Sequence, residues 1–315
     1  MRLALFSPLS CVLWSPRVWC QEPPPRIHLV TFTSDPNYQR AFEASLTAKE
    51  EFAAHWGYSW EVFNDNTIDC DQFRPFRWRG DFRYCKLQAL KTIWSRVRKL
   101  QKSETQLPPR RDYIFWHDVD THMMKPEIPL THFLERANYT PMVFTENALS
   151  LNNGVFFLQV DQGPAKRFFS AWRKGCRQRE WPWADNGCMY EVLLQLLGGE
   201  QYRGSCRRFS QESFNESQPE PLTGEDLMNC FNSEMSSLGL GCCDRKLQDF
   251  AFLTGEDSFN HHPCEELLKK PKLQEFDRTL IRSHCFKEGM FMVHSKNLTY
   301  AQESLRRVRA LKSEL

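Results

Sequence analysis

Short apolar runs alternate with stretches of helical period from Ile27 to Leu196, and this alternation constrains the fold more than any other feature of the chain. "RIHLVTFT", "YSWEVFN", "YIFW", "PMVFTEN" and "NGVFFLQV" read as strands bounded by turn residues. Between them, Phe42, Leu46, Ala53 and Trp56 form one apolar stripe, and Leu87, Leu90, Trp94 and Val97 another. Ala165, Phe168, Phe169 and Trp172 follow the same spacing, as do Met189, Val192, Leu193 and Leu196. Strands alternating with amphipathic helices specify an α/β fold, a mostly parallel sheet with helices on both faces. No internal repeat is visible. Residues 205–229 are polar and rich in Pro, Glu and Ser, and read as an insertion loop. The chain ends in a charged helical stretch, 301–315.

The run Tyr113–Trp116 stops abruptly at His117-Asp118-Val119-Asp120. In open α/β sheets, ligands bind at the carboxyl ends of strands. Two carboxylates one residue apart at such an end can turn toward one cation. Hard oxygen ligands suit Mg²⁺ or Mn²⁺, and a nearby imidazole favours Mn²⁺. A carboxylate pair of this kind usually holds its ion together with substrate phosphates, which points to a nucleotide diphosphate. The competing reading is an acidic turn or a cap for a following helix. His117 and His122 read as bystanders, and Asp185 alone reads equally well as a helix N-cap.

Lys and Arg number 41 against 39 Asp and Glu, a net charge of +2. That balance gives no reason to expect a nucleic-acid partner. The twelve cysteines contain no C-x-x-C pair, so disulfides in an oxidising compartment fit better than a zinc ribbon. "HHPC" at 261–264 reads as surface histidines beside a disulfide cysteine. The first 20 residues, with Arg2 before an apolar Leu3–Leu13 stretch, read as a signal peptide or short targeting segment. No other stretch is long and apolar enough for a membrane span. Three N-x-[ST] triplets begin at Asn138, Asn215 and Asn297, and Asn215 lies in the most loop-like composition.

The order of motifs over residues 27–300 resembles glycosyltransferase family 34, which includes fungal α-galactosyl and α-mannosyl transferases and plant xyloglucan α-xylosyltransferases. The stretches that carry the resemblance are "YCKLQALKTIW", "YIFWHDVDTHMM", "LNNGVFFLQV", "RFFSAWRKG", "ADNGCMYEVLL" and "MFMVHSKN". The central part, 113–197, is the most specific in order and spacing. The resemblance implies a GT-A type, Rossmann-like domain over 26–300. It implies a retaining transfer of sugar from a nucleotide-sugar donor to a glycan hydroxyl, with Mn²⁺ or Mg²⁺; the apolar start and the twelve cysteines give the expected place, the secretory lumen of the Golgi or ER. It implies that Asp118, Asp120 and His294 hold the metal. Lys86, Asp118, Asn152, Asn153 and Gly154 lie along the donor, and Asp185 and Asn186 lie at the reacting centre. Asn186 stands where the family usually has Gln, and "VHSKN" replaces the usual "HFAG". The rival expectation is a GT-A fold protein that binds glycan or nucleotide without turnover. A two-metal phosphohydrolase would need more converging carboxylates and histidines than the sequence offers.

Overall fold

A computed structural model of the chain describes residues 23–34, 36–70, 82–104, 110–146, 151–161, 163–178, 181–209, 224–237, 245–247, 249–253, 259, 261–263, 286 and 290–313. The N-terminal segment, Asn215 and Cys264 lie outside them.

The strands are β1 (Arg26–Thr33), β2 (Ser59–Asn64), β3 (Asp112–His117), β4 (Thr121–Met123), β5 (Met142–Glu146), β6 (Leu151–Gln159), β7 (Arg245–Leu247), β8 (Phe250–Leu253) and β9 (Met292–His294). The helices are α1 (Pro36–Ala41), α2 (Glu43–Trp56), α3 (Cys85–Ser103), α4 (Leu130–Arg136), α5 (Pro164–Gln178), α6 (Asp185–Gly198), α7 (Gly224–Ser237) and α8 (Leu298–Ser313).

Seven strands form one sheet in the order β2-β1-β3-β6-β5-β8-β7, and β4 pairs with β9 in a separate ribbon. β2, β1, β3, β5 and β8 run one way; β6 and β7 run the other. The expected α/β class, a mostly parallel sheet with helices on both faces, is what the structure shows.

β3 sits in the middle of the sheet with every residue buried. Its side chains alternate between two cores, as strand pleating requires. Ile114 and Trp116 join Leu87, Leu90, Phe168, Trp172 and Leu193 from α3, α5 and α6. Tyr113 and Phe115 join Phe52, Phe133 and Val308 from α2, α4 and α8. A strand covered on both faces reads as a continuous apolar run, which is why "YIFW" shows no polar alternation.

The antiparallel course of β6 decides where its motif goes. His117 at the end of β3 pairs with Val155 in the middle of β6, and the residues before Val155 run on past that end. "LNNG" is therefore delivered to the carboxyl edge of β3, beside Asp118. A parallel strand would have carried it to the far edge. α5 then returns along the sheet, so that α6 begins at the same edge.

Two expected boundaries change. The stretch 205–229 opens in a 3-10 turn, Ser205–Phe209, and enters α7 at Gly224; its middle lies outside the described residues. The C-terminal helix starts at Leu298, not at 301. Asn297 accepts a hydrogen bond from the Thr299 N–H at 3.0 Å and so caps that helix.

The described residues contain three disulfides, Cys70–Cys85, Cys176–Cys188 and Cys206–Cys230. No described helix is long and apolar enough to cross a membrane.

Candidate metal and diphosphate site

Asp118 and Asp120 occupy the turn between β3 and β4. The Asp118 N–H donates to Gly154 O at 2.7 Å, continuing the β3–β6 ladder past the last strand pair. Beneath the turn, Lys49 of α2 donates to the carbonyls of Asp118 and Val119, both at 3.0 Å. Ser45 Oγ donates to Val119 O and Thr121 O, both at 3.0 Å. These contacts fix the backbone of the turn that carries the two carboxylates. Burial pushes the Lys49 ammonium down to about 7, against the pull of Asp120 and Asp118.

His294 closes the site from β9. The pairing of Thr121 with His294 brings the late histidine back to the acidic turn. His294 Nε2 lies 3.2 Å from Asp120 Oδ1. Ligand atoms of Asp118, Asp120 and His294 all lie within 4.8 Å of one another. Burial would raise the Asp120 carboxyl, but His294 and Lys49 outweigh it and hold it well below its usual range. Burial would lower His294, but the two aspartates outweigh it and raise it.

Gly154 makes room for this arrangement. A Cβ there would meet His294 Cε1 at 2.6 Å and Asn152 Oδ1 at 2.8 Å. No side chain fits between the start of β6 and the imidazole. The ring of His262 stacks on that of His294 with centroids 4.6 Å apart.

On the other side of Asp118 lies a buried cation. Lys86, in the first turn of α3, is 6% exposed. Its Nζ lies 3.2 Å from Asp118 Oδ1 and 3.1 Å from Asp185 Oδ2. It also donates to Asn153 O at 2.9 Å and Asn153 Oδ1 at 2.8 Å. Asn153 Nδ2 donates to Asp185 Oδ2 at 2.7 Å. Burial would lower Lys86, but Asp118 and Asp185 outweigh it and keep it charged. Burial raises Asp185 and Asp118 adds to the rise, so that Lys86 and Asn153 offset only part of it.

Asn186 Oδ1 accepts the Asn153 N–H at 3.1 Å, and its Nδ2 donates to Tyr190 OH at 3.1 Å. Tyr190 in turn donates to Leu151 O at 2.6 Å. The first turn of α6 is thereby stitched to the first residues of β6.

The structure thus brings Lys86, Asp118, Asn153, Asp185 and Asn186 into one hydrogen-bonded group, with Asp120, Gly154 and His294 directly beside it. Asn152 accepts the Gly154 N–H through Oδ1 at 2.6 Å and holds that turn. The site spans both sheets rather than one, because His294 arrives on the β4–β9 ribbon. His122 is engaged elsewhere, with Ser45 Oγ at 3.2 Å and Ser295 O at 2.9 Å. His117 is buried and stacks on Trp60.

Sequence reasoning missed Lys49, His262 and Trp116, whose Nε1 donates to Asp118 Oδ1 at 2.8 Å. For Lys49 the signal was present. It falls between Leu46 and Ala53 on the apolar stripe of its helix, where a solvated lysine has no place.

No protein-family model matches the chain, and no curated protein matches it significantly. Among solved structures, a glycosyltransferase involved in the glycosylation of the major capsid of PBCV-1 superposes with a TM-score of 0.37 and 10% sequence identity, over 91% of this chain and 100% of that one. A likeness at that level assigns neither family nor activity.

Proposed function

We propose that the chain is a metal-dependent glycosyltransferase that moves a sugar from a nucleoside diphosphate donor to a glycan hydroxyl. The observation that carries this reading is the convergence of Asp118, Asp120 and His294 within 4.8 Å, at the carboxyl edge of the central strand and beside a buried lysine. The donor set fits a divalent ion: two carboxylates and one imidazole give the mixed oxygen and nitrogen ligation that suits Mn²⁺, with Mg²⁺ as the alternative. Trp116 and Lys86 both engage Oδ1 of Asp118, which leaves Oδ2 for the ion. A bound ion there supplies positive charge to a diphosphate leaving group.

The chain's own residues do the rest. Lys86 brings a second positive charge to the phosphates. Asn152, Asn153 and Gly154 lie along the donor. Asp185 is 4% exposed and already holds Lys86 and Asn153. It therefore acts by orienting those two groups, and Asn186 does the same through the Asn153 N–H. Retention at the anomeric carbon follows from the resemblance to family 34, as does an attack from the leaving-group face that needs no dedicated base. The three disulfides support an oxidising compartment, the secretory lumen of the Golgi or ER.

The test is a panel of nucleotide sugars incubated with purified protein and Mn²⁺, followed by release of nucleoside diphosphate. Metal-dependent release from one donor supports transfer. Tight binding without release, with every acceptor class supplied, would instead identify a catalytically inactive binding protein. Absence of both binding and release would reject the reading.

A further inference from the structure

Each half of the buried Lys86–Asp185 bridge stands beside a disulfide. Cys85 directly precedes Lys86 at the start of α3 and is bonded to Cys70. Cys188 follows Asp185 by one helical turn and is bonded to Cys176 near the end of α5. Cys85, Cys176 and Cys188 are fully buried, so these bonds are fixtures rather than reducible switches.

Both helix starts lack the usual means of fixation. Neither α3 nor α6 has a side-chain N-cap hydrogen bond. The approach to α6 is also strained. Trp183 has φ 60°, and Ala184 has φ 52° with ψ −115°, a combination that glycine alone adopts without cost. Such a backbone persists only where its surroundings over-determine it.

The surroundings do so here. A Cβ on Gly187 would lie 2.1 Å from Pro182 O, and one on Gly224 would lie 2.3 Å from Trp183 Nε1. The Cys176–Cys188 bond adds a covalent tie in the same turn. Relaxation of Ala184 toward negative φ would swing that turn. Asp185 Oδ2 would leave Lys86 and Asn153, and Asn186 Oδ1 would leave the Asn153 N–H.

We propose that Cys70–Cys85 and Cys176–Cys188 are positioning elements of the donor site. They hold the first turns of α3 and α6 so that Lys86, Asp185 and Asn186 converge before a nucleoside diphosphate sugar arrives. Preorganisation of this kind removes an ordering cost from binding. The ligand named here rests on the proposed function; the positioning itself does not. The metal trio comes from the β3–β4 turn and β9, and the two disulfides reach it only through the contact of Lys86 with Asp118.

The experiment compares Cys70→Ala/Cys85→Ala, Cys176→Ala/Cys188→Ala and, as a reference, Cys206→Ala/Cys230→Ala, which flanks none of the three side chains. Thermal unfolding reports stability. Calorimetry reports affinity for Mn²⁺ alone and for Mn²⁺ with UDP or GDP. Hydrogen exchange of the Asn153 amide reports the site without any ligand.

In the first two variants the Asn153 amide should exchange about tenfold faster, and affinity for the Mn²⁺–nucleotide probe should fall about tenfold. The reference variant should lose thermal stability while keeping Asn153 protection. Equal behaviour of all three variants at Asn153 would overturn the proposal. If the wild type binds neither nucleotide, the proposed function fails, and Asn153 exchange still decides the positioning claim. If Cys176→Ala/Cys188→Ala does not fold, adding Ala184→Gly decides. Relief of the strained turn should restore both folding and Asn153 protection, and failure to restore them counts against the proposal.

Discussion

β3 carries a buried carboxylate, Asp112, at its start and a half-buried one, Asp118, just past its end, and the two are treated oppositely. At the start, Asp112 is saturated. Arg26 donates to it through Nε at 2.7 Å and Nη2 at 3.0 Å, Gln101 Nε2 donates at 2.8 Å, and His28 Nε2 lies at 3.1 Å. Burial would raise its pKa, but these partners hold it at about 2. At the end, one lysine is shared by Asp118 and Asp185, and Asp120 pairs with His294 above the buried Lys49. Asp185 is shifted upward instead. At the first end one carboxylate has four donors; at the second, three carboxylates face Lys86, His294 and a Lys49 whose burial pushes it down to about 7. The first end is finished as a structural joint. The second leaves negative charge over, which is what a cation site requires.

Replacing the shared cation tests that contrast most severely. Lys86→Met leaves two carboxylates without their common partner, and removal of one member of a buried ionic group costs about 3–5 kcal/mol. Chemical denaturation should show that loss, and Mn²⁺ should recover part of it. A cost within experimental error would mean that Asp118 and Asp185 are already neutral or solvated.

A smaller effect separates the two ends by sign. Asp112 has a folded pKa below its ordinary value of 3.8. Its contribution is complete above the unfolded pKa and is lost as pH falls toward about 2, so that it amounts to about 2 kcal/mol at neutral pH. Asp112→Asn should remove it and flatten the acid limb of the stability profile. Asp185 is raised, so its ionised form at neutral pH opposes folding. Asp185→Asn should leave stability within about 1 kcal/mol of wild type while weakening nucleotide binding. The same loss of stability from both substitutions would erase the distinction.

Gly154→Ala should be milder still. The added methyl must displace His294 or Asn152, and a lost or tilted imidazole should cost about tenfold in Mn²⁺ affinity. Unfolding curves should move little, since the displaced atoms belong to side chains. A wild-type Mn²⁺ titration would show that His294 is not a ligand.

The sequence made the long elements readable. α3 and α5 have apolar spacing over several turns, and β3 is an apolar run too short for a helix and followed by turn chemistry. The acidic turn could be placed at a strand end from the same reading, whereas the "LNNG" segment was placed beside it only through the resemblance to family 34. Other features were hidden for physical reasons. An apolar run has no direction, so the antiparallel course of β6 could not be read from "GVFFLQ". The apolar run Met290–Val293 marks β9, but β4 is three residues long, below the length at which a pattern shows, and the pairing of the two joins distant parts of the chain. Cysteine spacing gave the expectation of disulfides but not the partners. The strained turn at Trp183–Ala184 runs against local preference, as expected where tertiary packing dictates a site.

The central claim is that Asp118 and Asp120 end their strand in order to hold a divalent ion. Calorimetric titration of Mn²⁺ into the wild type and into Asp120→Asn tests it most directly, because the substitution keeps the shape of the side chain and removes its charge. The account predicts one saturable site in the wild type and no measurable binding in Asp120→Asn, with the metal-free variant still folded but at lower thermal stability, because its ion pair with His294 is lost. Equal Mn²⁺ affinity in the two proteins would contradict it and return the pair to the status of an acidic turn.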